Sequence, residues 1–259
     1  VYGILNLINF AHGDVLTVGA LTALSTILLL QAMFPWMPGW VLILAGLLAA
    51  IPVCVVLSLV IERVAYRPLR NAPRLAPLIT AIGVSIVIQT FAMLIWGRNY
   101  MTFPTLVSNA PIEMGGATIT VTKLLVIGLS AAVMIGLMLL VNRTRLGRAM
   151  RATAENPRVA GLMGVNPNFV IAVTFAIGAA LAALAGVMLA ATYSVAHFYM
   201  GFLPGLKAFT AAVFGGIGNL AGAMVGGVLL GLIESLGAGY IGAITGGVLG
   251  SNYQDIFAF

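Results

Sequence analysis

FVIAVTFAIGAALAALAGVMLAATYSVA, the stretch Phe169–Ala196, carries no charged side chain from end to end. A helix needs about 20 mostly apolar residues to cross the hydrocarbon core of a bilayer. In that medium a segment must also satisfy its own backbone N–H and C=O groups, which a helix does. The stretch therefore predicts a spanning helix. Working outward, the same reading applies to Leu124–Val141, Leu75–Gly97, Met37–Ile61 and Val15–Phe34 on one side and to Ala208–Ile233 on the other. Six such runs set the fold class: an all-α polytopic transmembrane helical bundle, read as a single domain over residues 1–259. Composition agrees. Hydrophobic residues make up 61% of the chain and charged residues 7%, against roughly 25% charged in soluble proteins. Six acids and twelve bases cannot cover the surface of a soluble globule this size. The apolar content is also far too high for intrinsic disorder.

The charges that remain are concentrated in two places. Arg63, Arg67, Arg70 and Arg74 stand with Glu62 between two spans, and Arg143, Arg145, Arg148, Arg151 and Arg158 stand with Glu155 between two others. By the positive-inside rule both loops are cytoplasmic. The turn Pro35–Gly39, the stretch Arg98–Lys123 and the loop holding His197 then fall outside. The basic pI of 9.9 follows from this topology. It does not argue for nucleic-acid binding, because the bases flank lipid spans and form no soluble face. One cysteine, Cys54, excludes an intrachain disulfide and a thiolate metal cluster. The first residues are apolar from Val1 on, and Asp255-Ile-Phe-Ala-Phe259 turns apolar again. A further helix is expected on either side of residues 1–259.

Two apolar segments look broken. Near the start, Asn6, Asn9, His12, Gly13 and Asp14 interrupt the stretch Val1–Gly19, with Asp14 placed to cap the helix that follows. Later, Gly215-Gly216-Ile217-Gly218-Asn219 falls in the middle of Ala208–Ile233 and makes a poor continuous helix. Gly222, Gly226, Gly227 and Gly231 follow at spacings that suit close helix contact. Discontinuous helices in corresponding halves of a transporter point to its pathway. On that reading Asn9, Phe10, His12 and Gly13, with Gly215, Gly216, Gly218 and Asn219, lie along a substrate route or at its gates. The alternative is that the glycines only allow tight packing and that His12 is an interfacial histidine.

Residues 142–168 form the longest polar stretch on the inner side. Arg143–Glu155 has helical spacing, with Leu146, Ala149, Met150 and Ala154 toward one side. Asn156-Pro157 interrupts it. Val159, Leu162 and Met163 then share a face of a short helix ended by Gly164. A short amphipathic helix projecting inward between two spans suits a groove on a cytoplasmic partner. The other reading is a solvated loop whose arginines only fix topology.

Several motifs together resemble the permease subunit of bacterial branched-chain amino acid ABC importers, and within them the H-type permease of the Liv system. They are Asn6-Leu-Ile-Asn-Phe-Ala-His-Gly-Asp14, Ile61-Glu-Arg-Val-Ala-Tyr-Arg-Pro-Leu-Arg70, Arg145-Leu-Gly-Arg-Ala-Met-Arg-Ala-Thr-Ala-Glu-Asn156, Gly161-Leu-Met-Gly-Val-Asn166 and Lys207-Ala-Phe-Thr-Ala-Ala-Val-Phe-Gly-Gly-Ile-Gly-Asn219. The resemblance covers essentially the whole chain. It implies an inner-membrane, multi-pass subunit forming half of a pathway for leucine, isoleucine or valine. The implied partners are a second permease, two cytoplasmic ATPase subunits and a periplasmic amino-acid-binding protein. It also implies that residues 142–168 hold the coupling element, with Arg151, Glu155, Val159, Leu162, Met163 and Gly164 facing the ATPase. The chain has no G-x-x-x-x-G-K-[ST] phosphate loop. It is therefore expected to be a transport subunit and not an enzyme, to hold no cofactor or metal, and to leave ATP and Mg to its partners.

Three other functions compete with this one. Related permeases that share this frame carry urea or short-chain amides. An ion-coupled secondary transporter would need ionisable groups inside the membrane. The sequence places Asp14, Glu62, Glu113, Glu155, Glu234 and Asp255 at span ends or in loops, with Lys207 near an outer helix start. A membrane protease would need a base beside a nucleophile such as Ser85, and no G-x-S-x-G is present.

Overall fold

The computed structural model describes residues 9–69, 72–73, 75–106, 111–114, 117–216 and 218–244. Among them the chain forms α1 (His12–Met33), α2 (Gly39–Ile61), α3 (Leu75–Trp96), α4 (Val121–Arg143), α5 (Arg145–Glu155), α6 (Pro157–Leu162), α7 (Pro167–Tyr193), α8 (Phe202–Phe214) and α9 (Leu220–Ile244). Six are long and apolar enough to cross a membrane: α1, α2 with an extension to Tyr66, α3, α4, α7 and α9. Among the described residues, strands occur only in the α3–α4 and α7–α8 connections. β1 (Met101–Thr102) pairs antiparallel with β4 (Val195–Ala196), and β2 (Pro111–Met114) with β3 (Ala117–Thr120). Asn6, Arg70, Arg74, Ile217 and the stretch 245–259 lie outside the described residues.

Five expected spans recur with ends shifted by a few residues. The sixth, Ala208–Ile233, is divided between α8 and α9 at the break expected over residues 215–219. Gly216 and Gly218 take φ of 91° and 84°, values that side-chain-bearing residues rarely adopt. The N–H of Asn219 donates to the Gly216 carbonyl at 3.0 Å, and the chain reverses. Asn219 then caps α9, its Oδ1 accepting from the Gly222 N–H at 3.1 Å. A second difference is at Glu62, where the loop was expected to begin. The helix continues as a π-helical turn, Glu62–Tyr66. Tyr66 turns inward there, packs on Phe175 with ring centroids 5.6 Å apart and donates its hydroxyl to Asn9 Oδ1 at 2.9 Å.

The core is a three-helix unit of α1, α2 and α7, and small residues decide how closely its helices approach. A Cβ added at Gly19 of α1 would stand 2.8 Å from Ala183 Cα of α7 and 3.1 Å from Cys54 Sγ of α2. At Gly186 of α7 it would stand 2.3 Å from the Leu16 carbonyl oxygen. Backbones meet this closely in membranes because lipid gives helices no hydrophobic drive to associate, so packing contact must supply it. Around these glycines Leu21, Leu24, Ile27, Ala183 and Ala190 are wholly buried.

Hydrogen bonds fix α3 to this unit. Gln89 Nε2 donates to Asp14 Oδ1 at 2.9 Å and to Ser85 Oγ at 3.1 Å, and Trp96 Nε1 donates to Ser25 Oγ at 2.7 Å. Asp14 is thus no helix cap, as the sequence suggested. It sits inside the first turn of α1, 1% exposed, and is tied across to α3. By contrast α4 buries none of its residues, and most of α9 is exposed. Both present apolar faces to whatever surrounds the subunit.

The contrast between crowded and open glycines is testable. Gly186→Ala should destabilise the detergent-purified protein by about 1–3 kcal/mol, because the new methyl has no room. Gly83→Ala, with nothing within 4 Å of the added carbon, should leave the thermal unfolding midpoint unchanged or slightly higher. Equal midpoints for both variants would contradict the packing described.

Candidate functional site

Helix registers set the depth of each group. Trp96, at the outer end of α3, is level with Ser25 of α1. Thr17 stands eight residues, roughly 12 Å, deeper along α1. At that depth α8 begins. The Gly201 N–H donates to Thr17 Oγ1 at 2.9 Å, and the Thr17 hydroxyl donates to the Gly13 carbonyl at 3.3 Å. A Cβ at Gly201 would lie 1.9 Å from the Gly13 oxygen, and one at Gly13 2.4 Å from the Gly201 oxygen. Helix α8 is therefore a half-helix. The chain descends from β4 to reach it, and α8 then runs 13 residues, roughly 20 Å, toward the cytoplasmic side.

The start of α1 is set in from the opposite side. Cys54 Sγ donates to the Val15 carbonyl at 3.4 Å. Beyond Cys54, α2 and its π turn continue to Tyr66, roughly 18 Å further toward the cytoplasm. Two helix N-termini thus meet inside the membrane, at Gly13 and Gly201. Each N-terminus is the positive end of a helix dipole, and a carboxylate in the first turn offsets it. Asp14 occupies that position.

The candidate pathway residues divide between two places. Asn9, Phe10, His12 and Gly13 gather at the start of α1. Asn9 accepts from Tyr66 and Gly13 is pressed on Gly201. Phe10 packs on Phe209 of α8 with centroids 5.7 Å apart. Gly215, Gly216, Gly218 and Asn219 instead form the α8–α9 turn at the cytoplasmic end. There a cavity of about 590 Å³ lies between this turn, the C-terminal end of α4, α5 and α7. Arg151 and Glu155 line the same cavity. The structure therefore brings the glycine turn to the inner loop, while the first group meets the other end of α8.

Within residues 142–168 the caps are local. Thr144 Oγ1 accepts from the Gly147 N–H at 3.1 Å and opens α5. Asn156 Oδ1 accepts from Arg158 and Val159 N–H and opens α6, with Pro157 in its first turn. Asn166 does the same for α7. Helix α5 buries Gly147, Met150 and Thr153, and Arg151 Nη1 donates to the Val141 carbonyl at the end of α4. Helix α6 is held by Ala160 alone, 3% exposed, while Val159, Leu162 and Met163 are 52%, 86% and 80% exposed. Gly164, at φ 83°, turns the chain, and the Val165 N–H bonds back to the Ala160 carbonyl at 3.0 Å. The result is a tip that leaves Leu162 and Met163 almost wholly exposed and Val159 half-exposed.

Some participants escaped the sequence reading. Thr17, Gly201, Gly205 and Phe209 complete the meeting of α1 and α8. Only the reach of Lys207–Asn219 as a motif hinted at the last of them. Lys207 and Glu234 form an ion pair between α8 and α9. This corrects their placement at span ends: Glu234 lies in the interior of α9 and is paired. In the outer loop His197 accepts from the Tyr199 N–H at Nδ1, 3.1 Å, and stands edge-on to Tyr100. Partial burial lowers its pKa below the ordinary histidine value. Among the described residues, no three His, Cys, Asp or Glu side chains converge as metal ligands.

The model of a family described as branched-chain amino acid transport system / permease component matches residues 1–259. The high-affinity branched-chain amino acid transport system permease protein BraD of Pseudomonas aeruginosa is 46% identical over 264 residues, covering 100% of this chain and 83% of the relative. LivH of Escherichia coli, named likewise, is 42% identical over 263 residues, covering 100% and 82%. The probable branched-chain amino acid transport permease protein LivH of Methanocaldococcus jannaschii is 29% identical over 243 residues, covering 93% and 75%. No solved structure matches the chain.

The exposed tip supplies a clean test. Leu162 is 86% exposed, so Leu162→Asp should leave insertion and thermal stability of the subunit intact. If α6 seats in a partner's groove, the same change buries an unpaired charge there, a loss of several kcal/mol. Transport-coupled ATP hydrolysis in the assembled system should collapse. Normal coupled hydrolysis would remove the docking role of α6.

Proposed function

The chain belongs to the branched-chain amino acid transport system permease family, and from that premise we propose that it is the permease subunit of an ATP-driven importer of leucine, isoleucine and valine in the cell inner membrane. The full-length match to named branched-chain amino acid permeases carries this reading. A second permease subunit completes the pathway, two cytoplasmic ATPase subunits drive it, and a periplasmic binding protein delivers the cargo. ATP and Mg belong to the ATPase subunits.

The division of labour suits the geometry. The tip of α6 offers Val159, Leu162 and Met163 to a cytoplasmic groove. Helix α8 is the element a conformational change can move, since its start rests on backbone contacts at Gly13 and its end on the turn at Gly216 and Gly218. Motion of α6 reaches α8 through α5, which shares the cavity wall with the turn. Access then alternates around the meeting of α1 and α8, where Asn9, Phe10, His12 and Gly13 lie. Asp14 and Glu234, carboxylates that lie within spans, are bonded to Gln89 and Lys207; an ion-coupled carrier would have such a carboxylate change partner during the cycle, which is the rival that the uptake experiment tests.

Uptake into proteoliposomes separates the two energy sources. With ATP held constant, leucine uptake by the assembled transporter should survive dissipation of proton and sodium gradients. It should stop when ATP or the binding protein is withdrawn. Leucine uptake by the purified permease alone on an ion gradient would sink the reading, and urea uptake without leucine uptake would reassign the cargo.

A further inference from the structure

The cavity between α4, α5, α7 and the α8–α9 turn has a chemistry of its own. Its walls are apolar, with Leu137 on α4 and Ile177 and Leu181 on α7. On its rim α5 presents Arg151 and Glu155, one turn apart and roughly 6 Å along the helix. These two side chains form no ion pair with each other among the described residues. The reason is visible: Arg151 Nη1 is turned onto the Val141 carbonyl and Asn142 Oδ1. Glu155 is the last residue of α5, where the helix's own carbonyl end adds to its negative charge and favours a cation. The rim therefore offers one cationic and one anionic head above an apolar hollow. The volume of about 590 Å³ lies within the range of small-molecule sites, roughly 300–1,000 Å³.

We propose that this cavity is a cytoplasmic-side binding site for the free zwitterion of a branched aliphatic amino acid. The carboxylate meets Arg151, the ammonium meets Glu155, and the side chain fills the hollow beside Leu137, Ile177 and Leu181. The proposal rests on the reading that this permease carries such amino acids, and it places a second contact with them on the product side. A bound amino acid stands between α5 and the α8–α9 turn. It therefore holds apart the two elements through which the partner's motion reaches α8, and accumulated product slows the cycle. A lipid chain would use the hollow without the charged rim, so compounds lacking one charge distinguish the two occupants.

The test uses the assembled transporter in proteoliposomes, with ATP in the lumen and leucine-loaded binding protein outside. Lumenal L-leucine should lower the initial rates of uptake and ATP hydrolysis by at least about threefold as the site approaches saturation. Leucinamide, without the carboxylate, and 4-methylpentanoate, without the ammonium, should not. Ile177→Trp fills the hollow as the bound side chain does; it should lower the rate in leucine-free vesicles to the inhibited level and leave it indifferent to lumenal leucine. Leu137→Trp, from the opposite wall, gives the same result should the first variant assemble poorly. Labelled leucine should bind the purified complex without binding protein, and either variant should remove that binding. Rates indifferent to lumenal leucine, or equal inhibition by all three compounds, overturn the site while ATP-driven uptake stands. Absence of leucine uptake altogether would instead overturn the functional reading on which the site rests.

Discussion

Backbone left outside a regular helix cannot face lipid, because its N–H and C=O groups would go unbonded. The descent from β4 to α8 is such backbone, and the arrangement of the bundle follows from where it is covered. Gly201 is buried against Gly13, its N–H is bonded to Thr17, and Ala196 above it is wholly enclosed. This cover exists only because α1 also begins inside the membrane and carries glycine and threonine on that face. Two like dipole ends are thereby brought together, and Asp14 stands beside them with its carboxylate bonded to Gln89. Each of these residues answers a requirement set by the others.

The division between firm and loose parts follows from the same contacts. Helices α1, α2 and α7 interlock through glycine and alanine, with α1 the most enclosed and α2 keeping one apolar face exposed. Helices α4 and α9 touch the core lightly. Between them lie α8, the glycine turn and the cavity, so the region with least packing adjoins the polar loop at residues 142–168. Low contact density is where local opening is easiest. A subunit that must change access without unfolding has its stiff and yielding parts separated along the bundle.

Most of the fold was legible in sequence because the bilayer imposes length and apolarity on each span. Five of six runs became single helices. The sixth run was not legible as one element. The glycines of residues 215–219 marked the break, but whether they only interrupt a span or reverse the chain is decided by the positive φ of Gly216 and Gly218, which hydropathy summed over a window cannot carry. The same averaging hid the partners of Glu234 and Asp14, whose neighbours in space are distant in sequence: Lys207 on α8 and Gln89 on α3. At the candidate site, sequence found the unusual residues but not which of them meet. Asn9 and Gly13 looked like counterparts of Asn219 and Gly222. In the structure they contact Tyr66 and Gly201 instead, because α8 lies between the two groups. The tip at Val159, Leu162 and Met163 was the clearest local signal, since caps, proline and glycine at Asn156, Pro157 and Gly164 fix it with no distant contact.

Helix α1 is both the most enclosed spanning helix of the core and one studded with polar groups, among them His12, Asp14, Thr17, Thr22, Ser25 and Thr26. During synthesis it leaves the ribosome long before α7, which covers one of its faces. At about 5–20 residues per second, the interval is of order ten seconds. Throughout it only α2 and then α3 can shield Asp14 and Thr17 from lipid. The bonds from Cys54 to the Val15 carbonyl and from Tyr66 to Asn9 come first, and the Asp14 carboxylate gains its partner only when Gln89 of α3 arrives.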